Sequence, residues 1–369
     1  IKINQSIAKG GLSEILPRIC DYFTLEELTR IGLPADEILR EYKEIAKLIN
    51  LDLKPSLDIH GKSILKANRN VYRLSMVHSY HTSFFVDKLK KMRNFTYFPN
   101  QLVLKVAGKK GYVEIKSLSI KDSEESVTRA RFLILAAGSL NTTRILLRSF
   151  NLYDQKVPFL TKGNYMLICL HLNTLLKKTK SKMAQTGQVA ISDIDFFIQF
   201  YKANSSSLEK GLQYISLPKK LATLIFRVLA PFLVIADVRF ETSEGGKRFL
   251  KLTKNKAGKD ILEISFQQTK KELQDHKLQL KKIQKMFLKS GLLSLKILKG
   301  DLPSHYASGV PTQDRPGILS SEPNGQLHQA KRIYIADSAS WRSLPAKPPT
   351  LTIMANARRI GKQVLKEFQ

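Results

Sequence analysis

Cysteine is nearly missing: Cys20 and Cys169 stand far apart with no CxxC spacing. That pattern excludes a disulfide framework and a zinc site built on paired cysteines, and it points to a reducing, cytoplasmic setting. Acid is scarce too, with 31 Asp and Glu facing 61 Lys and Arg for a formal charge of +30. A surplus of that size attracts anions through long-range fields. The lysines are nevertheless spread along the chain with few aromatics between them, so a solvated basic surface is expected and no nucleic-acid partner. Even the densest stretch, Lys251 to Lys289, places its eleven lysines and four acids mostly on predicted hairpin and helix faces. Long apolar runs are absent as well. The most apolar one, Leu221 to Val238, is interrupted by Arg227 and Pro231, whereas a spanning helix needs about twenty apolar residues. It is expected to be core, with contact at a membrane surface as the alternative. Finally, none of the nineteen glycines falls in a G-x-G-x-x-G turn, the device that seats a pyrophosphate at the start of a dinucleotide-binding βαβ unit.

What is present suffices for two domains: 369 residues, 43% of them hydrophobic, an ordinary globular composition. The informative region is the last seventy or so residues. Ile333 to Ala336 reads as a short buried strand ending at Asp337, followed by a rigid bend with Pro345, Pro348 and Pro349. Thr350 or Thr352 then caps a helix whose inner face carries Ile353, Ala357, Ile360 and Val364. Strand, acidic turn, bend and helix N-terminus in one span aim backbone N–H groups and a positive helix end at one point, which suits an anion or an electron-rich ring.

The pieces HYASGVP (His305 to Pro311), YIADSASW (Tyr334 to Trp341) and LPAKPPTLTIMANARRI (Leu344 to Ile360) resemble the C-terminal signature of the glucose-methanol-choline oxidoreductases, enzymes that oxidise alcohols with FAD. AKGGLSEI (Ala8 to Ile15) is similar to that family's early flavin motif, and RFLILAAGSLNTTRILL (Arg131 to Leu147) to its second dinucleotide-contacting strand and turn. The order of the pieces matches; between Phe150 and Gly300 no motif occurs. In the family the early motif lies downstream of the nucleotide-binding turn, so the resemblance implies a chain incomplete at its N-terminus, without the first βαβ unit.

The fold implied is α/β (α+β): a Rossmann-like FAD-binding domain over residues 1–149, an antiparallel-sheet substrate domain over 150–300, and a return of 301–369 to the first domain carrying the active-site motifs. FAD is the implied cofactor, held by Gly10, Gly11, Leu12 and Ser13, by Val103 beside the adenine, by Ala136, Ala137 and Gly138 at a strand end where bulk would collide, and by Asp337, Ser338, Pro349, Thr350 and Leu351. His305 is the implied base for a small-molecule alcohol, since an imidazole titrates near neutrality. The family's second histidine or asparagine is replaced by Pro348, which has no polar side chain; Lys347, Gln199 and Tyr201 are candidates to fill in. That substitution keeps two alternatives open, an inactive flavin-fold protein and, on charge alone, a binder of anionic polymers.

Elsewhere the chain predicts helices over Thr24 to Leu48, capped at Asp36 after a break at Gly32 and Pro34, and over Val71 to Leu89, where His78 and His81 share a face as structural residues rather than metal ligands. A meander is expected over Phe95 to Ile120. A strand at Phe132 to Leu135 leads to a helix capped by Asn141. Further strands are expected at Met166 to Leu172, Ile194 to Tyr201, Leu233 to Glu241, Arg248 to Leu252 and Ile261 to Phe266, and a helix at Thr269 to Lys289.

Overall fold

The computed structural model describes residue 6 and residues 9–14, 19–77, 81–176, 189–202, 218–243, 245–300 and 305–368. Helices α1 (Leu25–Ile31), α2 (Ala35–Leu48) and α3 (Ile59–Ala67) precede strand β1 (Val71–Arg73) and helix α4 (Thr82–Leu89). A meander of β2 (Gln101–Gly108), β3 (Val113–Ser119) and β4 (Glu125–Ala130) leads into β5 (Leu133–Leu135) and α5 (Ser139–Ser149). Then come β6 (Lys156–Pro158), β7 (Asn164–His171), α6 (Leu172–Leu176), β8 (Val189–Ser192), β9 (Phe196–Lys202), α7 (Lys219–Leu229) and β10 (Leu233–Phe240). The hairpin β11 (Lys247–Lys254) and β12 (Asp260–Gln267), helix α8 (Lys270–Lys289), β13 (Leu292–Lys299), β14 (Ile333–Ile335) and α9 (Thr350–Phe368) complete the order.

A six-stranded antiparallel sheet in the order β13-β7-β10-β9-β8-β1 is the largest feature. Strict alternation divides its residues. Tyr165, Leu167 and Cys169 of β7, Ile198 and Phe200 of β9, and Val234, Ala236 and Val238 of β10 form one apolar face, covered by Ile64 of α3 and by Leu280, Ile283 and Phe287 of α8. A reciprocal capping box between Thr269 and Glu272 starts α8, satisfying two of the N–H groups that a helix start leaves without partners. A second core lies around the parallel pair β5 and β14, in register Ile333 to Leu133 and Ile335 to Leu135, against α5. A third joins α1 and α2 to Trp341 and the first turns of α9, where Glu41 of α2 pairs with Arg358 and Lys362.

Several local expectations are corrected. Val71 to Met76 is extended rather than helical, because Val71, with the backbone of Tyr72 and Arg73, completes the edge of the six-stranded sheet beside β8. His81 precedes α4 instead of sharing a helical face, and His78 lies outside the described residues. Pro34, not Asp36, is the cap of α2, and Gly138, not Asn141, the cap of α5. Thr352 is not a cap either: it lies inside α9, where its hydroxyl meets Tyr42 at 2.7 Å. Phe95 to Phe98 is not a strand; the meander gains β4 instead, an exposed polar strand without apolar alternation. The run Leu221 to Val238 splits: β10 is core, but α7 leaves Leu221, Leu224, Ile225 and Val228 exposed. The two cysteines are buried in different cores, and burial pushes both thiols up to about 12, Cys20 with help from Asp21.

Candidate functional site

The parallel pair β5 and β14 ends at two contrasting turns. Ala136, Ala137 and Gly138 are exposed, and Gly138 has a φ of 80° with nothing within 4 Å of where a side chain would begin. Opposite them Asp337 is buried. Its carboxylate accepts hydrogen bonds from the Gly138 N–H at 2.9 Å, the Thr142 hydroxyl at 2.6 Å and the Ala339 N–H at 2.9 Å. Burial raises its pKa against the pull of those donors. Asp337 therefore ties the start of α5 to the turn at Ser338–Ser340.

That turn is zipped to the segment after His305. The N–H groups of Ser308, Val310 and Thr312 donate to the carbonyls of Ser338, Ala339 and Ser340 at 2.9, 3.0 and 2.8 Å. The Ser338 hydroxyl donates to the Tyr306 carbonyl at 2.7 Å. Gly309 is required here: its φ is 109°, and a Cβ would come within 2.1 Å of Thr143 Oγ1.

His305 itself is fixed by a short antiparallel pairing of Tyr306 with Thr161 and Ala307 with Leu160. The same register sets His305 across from Lys162. The Lys162 ammonium is buried and donates to the carbonyls of Ala346 at 3.1 Å and Lys347 at 2.6 Å, immediately before Pro348. Burial first, and Arg239 second, bring its pKa well below the ordinary lysine value. Burial, Lys162 and Arg239 in turn pull His305 well below the histidine range, so the imidazole is neutral at neutral pH. His305 is half-buried as a residue, but its Nδ1 is sealed from solvent and has no hydrogen-bond partner among the described residues; the same holds for Ser308 Oγ.

The second face of the six-stranded sheet completes the surroundings. Between an apolar patch of Phe197, Ala190 and Ala346 and another of Leu233 and Ile235 runs a polar band. In it the Arg239 guanidinium holds Asp237 at 2.7 Å, Asn164 reaches Asp237 at 3.5 Å, and Tyr201 donates to Gln199 at 2.5 Å. Of the candidates to replace the function lost at Pro348, Gln199 and Tyr201 thus bond each other. Lys347 is turned away to Glu27 at 3.0 Å and the Tyr22 carbonyl at 3.1 Å. Lys162 was not evident in the sequence, where a lone lysine before Gly163 carries no signal. The Asp237 and Arg239 pair had one: two charges on the same side of an otherwise apolar strand.

Other anticipated positions lie on other elements. Gly10 and Gly11 both have positive φ and open the turn Gly11–Glu14, which contains the half-buried Leu12. The side chain of Ser13 lies outside the described residues. That turn is anchored on α4, Glu14 accepting from the Ser83 N–H at 2.9 Å and meeting His81 at 3.2 Å. Val103 sits in β2 opposite Ser117 and packs against the core under α5. Pro348 and Pro349 are buried; Thr350 begins α9, and Leu351 points into the core beside Trp341. The first-turn N–H groups of α9 have no acceptor within the helix. The structure thus joins Gly138, Asp337 and Ser338 to the segment that follows His305 through one set of hydrogen bonds, and Lys162, across from His305, links it to the bend before α9.

A cavity of about 1140 Å³ lies elsewhere, between Arg30, Glu241, Glu272, His276, Gln313 and Arg342. For a flavin, the exposed small residues at 136–138 leave room and His305 Nδ1 has no partner, while the sequence offers no glycine turn for the pyrophosphate. Among the described residues no helix is long and apolar enough to cross a membrane.

No protein-family model matches the chain, and no curated protein matches it. Among solved structures it is similar to pyridoxine 4-oxidase from Mesorbium loti, with a TM-score of 0.58 at 10% identity over 86% of this chain and 72% of that one. The chain therefore shares the fold of that enzyme.

Proposed function

We propose that the protein is an FAD-dependent oxidoreductase of the glucose-methanol-choline type, acting on a CH–OH group of a small alcohol with His305 as the base. One observation carries this reading. A neutral imidazole with an orphaned, sealed Nδ1 heads the segment that is hydrogen-bonded to the Asp337 turn beside Gly138, with Lys162 and the Arg239 guanidinium as its neighbours. A neutral histidine accepts a hydroxyl proton, and neighbouring positive charge favours the alkoxide that results. The flavin, when bound, supplies the acceptor for the hydride leaving carbon. Ala136, Ala137 and Gly138 would lie against the cofactor because bulk is missing there, and Asp337 would orient that turn without touching phosphate. Lys162, fixed on the carbonyls before Pro348, supplies the polar group that Pro348 lacks. The resemblance in sequence and the shared oxidase fold agree with this reading at different levels of detail.

Pro348 favours a second reading, a flavin-fold protein without turnover. One experiment separates them. FAD is added to the purified protein, and the flavin absorption band is followed anaerobically on addition of primary alcohols. The proposal expects a bound band that bleaches with at least one alcohol, and about a hundredfold slower bleaching in His305→Ala. A bound band that no alcohol bleaches favours the second reading. A folded protein that binds no flavin overturns both.

A further inference from the structure

Helix α7 carries an unpartnered apolar stripe. Leu221, Leu224, Ile225 and Val228 recur at the spacing of one helical face, and their exposures are 45, 61, 40 and 62%. Leu176, at the end of α6, is 81% exposed, and α6 packs against the turn Ala230–Phe232 that follows α7. Other large apolar side chains are exposed on this protein too, but here four stand on one short helical face, the arrangement of a contact site. The base beneath it is firm. Leu229 and Ala230 pack on Leu233 and Ile235 of β10, and the Pro231 carbonyl meets His60 Nε2 at 2.9 Å.

The charge around the stripe selects the partner. Lys220 and Arg227 are exposed on α7, and Lys219 to Leu229 contains no acid. With a formal charge of +30, a second copy of the chain is repelled from this face, whereas an anionic surface is drawn to it. An eleven-residue helix is about 16 Å long, too short to span a bilayer, and has the composition of one that lies in its interface.

We propose that α7, with the end of α6, docks the protein on an anionic lipid bilayer: the stripe enters the headgroup and acyl boundary while Lys220 and Arg227 meet lipid phosphates. The inference is independent of the flavin reading.

The test is cosedimentation with vesicles of phosphatidylcholine alone and of phosphatidylcholine mixed with phosphatidylglycerol, alongside sedimentation velocity without lipid. Wild type is expected to pellet with the anionic vesicles, less as salt rises, and weakly with the neutral ones. Leu224→Glu/Val228→Glu, on exposed positions and checked for an unchanged circular dichroism spectrum, should lose binding at least tenfold. Lys220→Gln/Arg227→Gln should lose it by a smaller factor. The proposal is overturned if wild type does not pellet, if Leu224→Glu/Val228→Glu pellets like wild type, or if the stripe instead drives a concentration-dependent dimer that the variant abolishes.

Discussion

The two faces of the six-stranded sheet are built from the same strands, one residue out of phase, and do different work. On β10 the even positions Val234, Ala236 and Val238 join the apolar core under α8, while the odd positions pass from Leu233 and Ile235 to Asp237 and Arg239. On β9 Ile198 and Phe200 face the core, and Gln199 and Tyr201 face the polar band near His305. The first face is where burial stabilises the fold. The second gives part of its area to buried charge, which contributes little net stability and which the proposed function would use beside His305. Period-two alternation lets one element do both without compromise, since a side chain on one face does not touch the other.

The comparison predicts unequal costs. Phe287 of α8, 1% exposed and tilted against Phe200 with ring centroids 5.4 Å apart, packs on the first face. Phe287→Ala should destabilise by about 3–5 kcal/mol, read from the urea midpoint. On the second face Arg239→Met alone leaves Asp237 buried without its cation and should cost about 3 kcal/mol, but Asp237→Leu/Arg239→Met should recover most of that. A double variant as unstable as the single one would break the distinction between the faces.

A smaller effect comes from the sheet margin. His171 Nδ1 meets His60 Nδ1 at 2.9 Å, and burial, with His60, lowers the His171 pKa to about 4. The unfolded chain binds this proton near pH 6.5 and the folded one only near 4, so stability is lost as pH falls across that window. The loss should reach roughly 2–3 kcal/mol, measured as the urea midpoint at pH 7 and pH 4.5. His171→Asn should flatten that dependence, and an unchanged slope would show that the pair is protonated at little cost.

Much of the architecture was legible. Alternation marked β7, β9, β10 and the hairpin β11–β12, whose turn is held by Asn255 and Gly258; the helical spacing of Leu280, Ile283 and Phe287 marked α8. The strand, turn and helix from Leu133 to Ser149 was read correctly except for its cap, because Gly138 rather than a hydroxyl starts α5. What was hidden needed tertiary information. Val71 to Met76 is too short for period two to be told from a helical turn. Composition alone does not separate a buried apolar run from an exposed one, so α7 read as core. Lys162 gains its meaning only from a two-residue pairing with a segment more than a hundred residues away. For the candidate site, the motif pieces contain Gly138, Asp337 and Ser338, which the structure hydrogen-bonds together, and His305 at the edge of the same segment, while Lys162 and Arg239 come from strands without a motif.

The central claim is that the chemistry resides at His305 and the stability on the opposite face. The rate of anaerobic flavin reduction by alcohol, per folded molecule, tests it in two variants whose urea midpoints are also recorded. His305→Gln should keep its midpoint within about 1 kcal/mol and lose rate about a hundredfold, while Phe287→Leu should lower the midpoint and keep the rate. Equal rates in wild type and His305→Gln would contradict the account.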